Sequence, residues 1–385
     1  MPMLAPHISS VPGSGIRRVY EIAAGLEGVN FLVVGEPDVP VAAHIAEAAK
    51  RAWDADETNY TANAGIPPLR RAIVDKLARE NDIHVDESQV TVTVGATQGL
   101  HQAMALTLGP GDEVLVPDPG YTTFTMNAHM LSAVAVPYEL RPERDFQPDL
   151  EQLESLITER TRVLIVNSPS NPLGVIFDAE MLQRLLDFAK KHDLWVISDE
   201  VYEYFTWGEK HSSMASFDED NRVLSVFSFS KTYAMTGVRV GYLVTPRSFE
   251  ATMRTVQEAT VSCVATPDQY AALAAITGDH GHVADAKAHY RSNLAAATEL
   301  LASRGIPYLT PRGTFYLWID LSHATGGNVA AWAERFLREQ LVAVAPGSAF
   351  GRSGEGWIRV CLAAPQADIL DGLGKLPAPT PGEAS

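Results

Sequence analysis

Residues 223–241 read VLSVFSFSKTYAMTGVRVG, and this stretch decides the fold. Its opening, 223–229, is an apolar run of the length of a buried strand. Lys231 follows at once, in a segment with no helical polar face on which a lysine could be solvated. Similar short runs precede it at 113–117, 162–167 and 194–198, with a further strand at 90–94. Helical patterns lie between them. Residues 68–80 open with prolines and place Leu69, Ala72, Ile73 and Leu77 on one face. Asp178 can cap a helix with Met181, Leu182, Leu185 and Phe188 inward, and another helix is expected over 98–108. Strands alternating with helices imply an α/β fold with a mainly parallel sheet covered on both faces.

After about residue 285 the pattern changes. A helix over 285–304 ends at Gly305, a strand is expected over 315–321, and a helix carries Val329, Trp332, Ala333, Phe336 and Leu337 on one face. Residues 341–345 and 357–362 read as further strands. The expected organisation is an N-terminal arm and small-domain segment at 1–45, a large domain at 46–284 and a smaller α+β domain at 285–385. The Pro-rich tail, 376–385, should fray.

The chain has 385 residues and a net charge of −17, which disfavours nucleic acid and anionic membrane as partners. An anionic ligand must then be held by a local positive site. Cys263 and Cys361 stand alone, and no Cys/His group has metal-ligand spacing, so reduced thiols in a cytoplasmic protein and no metal are expected. No basic flank precedes an apolar run at the N-terminus, and no apolar stretch reaches 18 residues, so neither a signal peptide nor a membrane span is expected.

Three polar residues follow three of the strands: Asn171 after 162–167, Asp199 after 194–198 and Lys231 after 223–229. Ligands of open α/β sheets bind outside the carboxyl ends of the strands, so an amide, a carboxylate and an amine should converge on one crevice. A buried lysine in such company suits Schiff-base chemistry, because desolvation and nearby cations free its amine to attack an aldehyde.

Ser228-Phe229-Ser230-Lys231, with Ala234-Met235-Thr236-Gly237 and Arg239-Val240-Gly241, resembles the pyridoxal-phosphate lysine motif of the class I/II aminotransferases, in the fold type I aspartate aminotransferase superfamily. The resemblance implies a large domain with a mainly parallel sheet, a smaller α+β domain, and pyridoxal 5'-phosphate as cofactor. Lys231 would carry the cofactor, and Ser228 and Arg239 would bind its phosphate. Gly95-Ala96-Thr97, at a helix start, is similar to the segment that cradles the same phosphate. Ser170-Asn171-Pro172-Leu173-Gly174 resembles the Asn-Pro-x-Gly loop, whose asparagine meets the ring hydroxyl and the substrate. In Asp199-Glu200-Val201-Tyr202, Asp199 would keep the ring nitrogen protonated and Tyr202 would bond the ring oxygen. Tyr121 matches the aromatic residue stacked on the ring. Tyr60 matches the tyrosine that reaches the phosphate of a neighbouring subunit, which implies a homodimer with shared sites. Trp357-Ile358-Arg359-Val360 resembles the strand whose arginine takes the substrate α-carboxylate, and Gly35 the loop that packs over the substrate. Taken singly, an Asn-Pro turn, a strand-end aspartate or a core tyrosine is ordinary; their joint placement carries the resemblance.

The implied reaction moves an amino group between an L-amino acid and a 2-oxo acid by a ping-pong route. Lys231, Asp199 and Tyr202 are its catalytic residues. A lyase or an oxidase on the same fold shares these residues and stays open. A regulator carrying this domain beside a DNA-binding one is disfavoured, because the resemblance spans nearly the whole chain and the charge is wrong for DNA. Some bacterial aspartate aminotransferases carry a lysine where Thr97 stands, contacting the distal carboxylate of acidic substrates. Arg17 and Arg18 are the alternatives for that task, and neutral substrates remain open.

Overall fold

In the computed structural model, residues 3–208 and 210–380 are described. Their large sheet has seven strands: β1 (Val90–Thr93), β2 (Glu113–Asp118), β3 (Val134–Glu139), β4 (Thr161–Asn167), β5 (Trp195–Asp199), β6 (Val223–Ser228) and β7 (Gly241–Val244). Their spatial order is β1-β7-β6-β5-β4-β2-β3. β7 runs antiparallel to both of its neighbours, and the remaining pairs are parallel.

The sheet is covered on both faces because its central strands carry apolar side chains on both. Val163 and Ile165 of β4 join Val114 and Ile197 on one face, beneath the helices Gly95–Thr107 and Thr123–Met130 with Leu100, Met104 and Phe124. Leu164 and Val166 point the other way, to Leu115, Val196 and the helix Ala179–Lys191 with Leu182, Leu185 and Phe188. Each fully buried side chain of this kind contributes roughly 1.5–3 kcal/mol, so β4 is fixed from two sides. Asp178 caps the helix as its sequence implies, accepting the Met181 N–H at 2.9 Å.

A second, four-stranded sheet is antiparallel, in the order Ala345–Pro346, Trp357–Cys361, Tyr316–Asp320, Tyr308–Leu309. The N-terminal segment joins this part of the chain, since Asn30–Phe31 pairs in parallel with Val342–Ala343.

Several expectations need correction. β3 and β7 were not legible: β3 carries Pro137 and is largely unburied at the sheet edge, and β7 has only four residues. The strand expected over 341–345 is two, because Leu341 is left-handed (φ 53°) and the chain changes partners after Ala343. The helix expected from 285 begins at Gly281, and that expected from 98 begins at Gly95. The helix Pro67–Lys76 widens into a π-turn over Leu77–Asn81 before Asp82 ends it at φ 55°. The start of the expected frayed tail is packed: Leu376 is buried and its carbonyl accepts from Arg304 at 2.6 Å. Residues 381–385 lie outside the described ones.

Candidate active site

β4, β5 and β6 are adjacent and parallel, with Asn167 in register with Asp199 and Asp199 with Val226. The turns that leave these strands therefore open on the same side. They deliver Asn171, Asp199, Tyr202, Ser228 and Lys231 to one cleft of about 260 Å³. Ala96 and Thr97 enter from a helix start, Tyr121 from the turn after β2, and Gly35, Arg239 and Arg359 complete the lining. Gly95 sits directly beneath Arg239. Tyr60 does not line this cleft; it is 89% exposed.

Lys231 is buried, and its amine donates to the Gly35 carbonyl at 2.5 Å. Burial, with the Arg359 and Arg239 cations nearby, lowers its pKa to about 8; Glu36 and Cys361 oppose this. The amine is thus far closer to its nucleophilic form at neutral pH than a solvated lysine.

Asp199 is 2% exposed, and the structure gives it one hydrogen bond, from the Val201 N–H at 3.4 Å. Burial pushes its pKa up to about 7, with the charge of Glu200 adding to the effect. A buried carboxylate with no cation beside it, facing a cavity, is suited to a cationic ligand group. Asn167 braces this corner: its amide donates to the Asp199 carbonyl at 3.1 Å and its oxygen accepts the Asn171 N–H at 2.9 Å.

Arg359 is 3% exposed. Its two terminal nitrogens donate to Asn171 Oδ1 at 2.8 Å and to the Val33 carbonyl at 2.7 Å, while its Nε is buried without a partner among the described residues. The Tyr316 ring lies 4.1 Å from the guanidinium carbon. Tyr316 also shares a 2.7 Å hydrogen bond with the Tyr202 hydroxyl. Burial and the neighbouring Tyr316 hold the Tyr202 phenol well above its usual range, so it stays protonated.

The opposite end of the cleft is a cradle. Arg239 adopts φ 60°, rare for a residue with a side chain, and donates to the Thr236 carbonyl at 2.8 Å. Its guanidinium covers the start of the helix Gly95–Thr107, so close that a Cβ on Gly95 would lie 2.4 Å from its Nη2. The first N–H groups of a helix lack intrahelical partners. With Arg239, Ser228 and Thr97 they form a donor set suited to a phosphate. The cradle, the carboxylate of Asp199 and the orphaned Arg359 Nε fit a ligand that carries an anionic group, a cationic group and a carboxylate.

Ile16, Val34, Leu100, Val201, Ser230, Thr236 and Tyr316 also line the cleft, and none of them had been expected there. Ser230, Thr236 and Val201 lie inside the quoted motifs; the others come from distant segments. Arg17 and Arg18 do not line it: Arg17 bonds Glu21 at 3.1 Å, and Arg18 pairs with Glu334.

The sequence model described as "Aminotransferase class I and II" matches residues 29–374. The chain is 35% identical to the aspartate aminotransferase of Pyrococcus abyssi, over 97% of each chain. It is 34% identical to an aromatic-amino-acid aminotransferase of Thermococcus litoralis, again over 97% of each. Among solved structures, Thermus thermophilus aspartate aminotransferase with maleate superposes with a TM-score of 0.92 at 34% identity, covering 97% of this chain and 98% of that one. A lysine, an aspartate and an arginine meeting in one cleft of this fold, and a family match along most of the sequence, lead to one conclusion: the chain belongs to the class I and II aminotransferases.

Proposed function

We propose that this aminotransferase works with pyridoxal 5'-phosphate held in the cleft of Lys231, Asp199 and Arg359. The observation that carries the reading is Asp199, a buried carboxylate with no cationic partner at the wall of a cavity that also holds a buried amine. Arg239, Ser228, Thr97 and the helix start at Gly95 and Ala96 would bind the phosphate. Asn171 and Tyr202 would meet the ring oxygen, Tyr121 would cover the ring, and Asp199 would take the ring N–H. Bound there, the cofactor supplies an electron sink for the α-carbon of the substrate.

Arg359 binds the substrate carboxylate through its fork and so orients the Cα–H bond. Gly35 and Asn171 close around the same end. Lys231 Nζ takes the α-proton and later returns one, as general base and then acid. Its pKa of about 8 leaves roughly a tenth of the amine free at pH 7, far more than an ordinary lysine would. The amino group leaves with the second substrate, a 2-oxo acid, so the two substrates act in alternation.

Ile16 and Val34 give the cleft apolar wall, and its cations are Lys231, Arg239 and Arg359, each already given a task. This favours amino acids with uncharged side chains as donors. Tyr60, exposed on this chain, would reach the phosphate cradle of a partner in a homodimer. The assignment of the N-terminal segment to the small domain is supported by the pairing of Asn30–Phe31 with Val342–Ala343. The unpaired thiols of Cys263 and Cys361 favour the cytoplasm. Among the described residues no helix is long and apolar enough to cross a membrane.

The test is a half-reaction. Cofactor-loaded protein is mixed with single amino acids, without an acceptor, while the cofactor spectrum is followed. One stoichiometric conversion with release of a 2-oxo acid is expected, and Lys231→Ala should abolish it. Continuous product release without an acceptor, or near-normal turnover in Lys231→Ala, would overturn the reading.

A further inference from the structure

Asp199 is followed by a second buried carboxylate. Glu200 is 1% exposed; one oxygen accepts from Ser198 Oγ at 2.9 Å, and the other lies 2.7 Å from His211 Nε2. Its own N–H is fixed to the Val226 carbonyl of β6 at 3.0 Å. The two neighbouring side chains thus face different surroundings. Asp199 lines the cleft, whereas Glu200 turns to His211, whose side chain is 7% exposed at the wall of a separate polar cavity. Among the described residues His211 Nδ1 is buried without a partner, so Glu200 is the imidazole's hydrogen-bond partner there.

Two adjacent carboxylates in a low-dielectric interior raise each other's affinity for protons. Here the imidazole and the serine hydroxyl both serve Glu200, and Asp199 is left with a single backbone N–H. We propose that His211, acting through Glu200, is a positioning residue for the cofactor: the imidazole N–H that Glu200 accepts draws the Glu200 charge away from Asp199 and keeps Asp199 ionised for a protonated ring nitrogen. The inference rests on the reading of Asp199 as the partner of that nitrogen. Without the imidazole, the uncompensated Glu200 would hold a proton on Asp199 to higher pH. Without the Glu200 charge, Asp199 would ionise at lower pH. Across the second cavity His211 also faces Glu80, Glu203, Tyr204 and the cations Arg79, Lys210, Lys287 and Arg291. Lys76 is bonded to Glu203 behind them. These groups are common to every variant compared below.

The test measures equilibrium affinity for pyridoxamine phosphate, which needs no bond to Lys231, as a function of pH in the full chain. In the wild type, affinity should fall as pH drops and Asp199 takes up a proton. His211→Gln should move that midpoint up, and Glu200→Gln should move it down, each by about one pH unit, the scale of a close charge contact. The double variant should match Glu200→Gln, because His211 acts through the Glu200 charge. A residue that merely fills space would not shift the two single variants in opposite directions. Coincident midpoints, or shifts of the same sign, would overturn the proposal. Should His211→Gln fail to fold, His211→Asn, which shortens the side chain, takes its place beside Glu200→Gln. Asp199→Asn separates the two readings. If it retains the wild-type profile, the assignment of Asp199 itself is wrong; if its profile is flat while the other variants do not move, only the role of His211 fails.

Discussion

Replacing Asp199 by Asn removes a carboxylate that the fold buries without a cation, and the consequence can be worked out for the cofactor-free protein. The folded-state pKa is pushed up to about 7 from the ordinary 3.8. Between those values the folded state binds more protons than the unfolded one, so stability falls as pH rises through the window. The cost is absent below the unfolded pKa and fully present above the folded one. A shift of this size corresponds to roughly 4 kcal/mol. Asn carries no such cost. Cofactor-free Asp199→Asn should therefore be more stable than the wild type at pH 8, by up to about 4 kcal/mol, with the gain shrinking towards pH 4. Urea unfolding of both proteins at several pH values and one protein concentration measures this difference directly. Bound cofactor should narrow this gap, because losing a charge-assisted hydrogen bond of about 1.5–3 kcal/mol weakens its binding roughly 10- to 150-fold. A stability difference independent of pH, or a cofactor-free variant less stable than the wild type at pH 8, would refute the idea that Asp199 is an uncompensated buried charge.

Other consequences follow from the same cleft. In cofactor-free protein, trapping of Lys231 by a small aldehyde and a hydride reductant should titrate near pH 8, below ordinary lysines, because burial lowers its pKa to about 8; peptide mass spectrometry reads the modified site, and a midpoint near 10 would count against it. Arg359→Lys should raise KM for amino acids by about 10- to 150-fold, since a point charge replaces a fork held by Asn171 and Val33; steady-state kinetics at saturating acceptor checks this. A Cβ at Gly35 would lie 1.7 Å from the Tyr316 hydroxyl, so Gly35→Ala must displace the loop or the Tyr316 ring and should lower kcat/KM while circular dichroism stays native.

What was legible in the sequence, and what was not, divides along one physical line. β4, β5 and β6 are buried on both faces, so each reads as a continuous apolar run, and the polar residue after it marks where the cleft must be. β3 is partly solvated and holds Pro137, so neither its composition nor its propensity sets it apart from a loop. Lys231, Asp199, Asn171 and Arg359 were found because each sits in a contiguous motif. Tyr316 was not, since its bond to Tyr202 joins residues 114 positions apart and no local pattern records it. The same holds for His211: a lone histidine in the sequence looks ordinary until the fold sets it 2.7 Å from the carboxylate next to Asp199. Tyr60 is the converse case. The motif names it, but its own chain leaves it exposed and outside its own cleft, so any part it plays belongs to the assembly. Local pattern therefore reports which chemistry is present, and tertiary packing sets the charge state in which that chemistry operates.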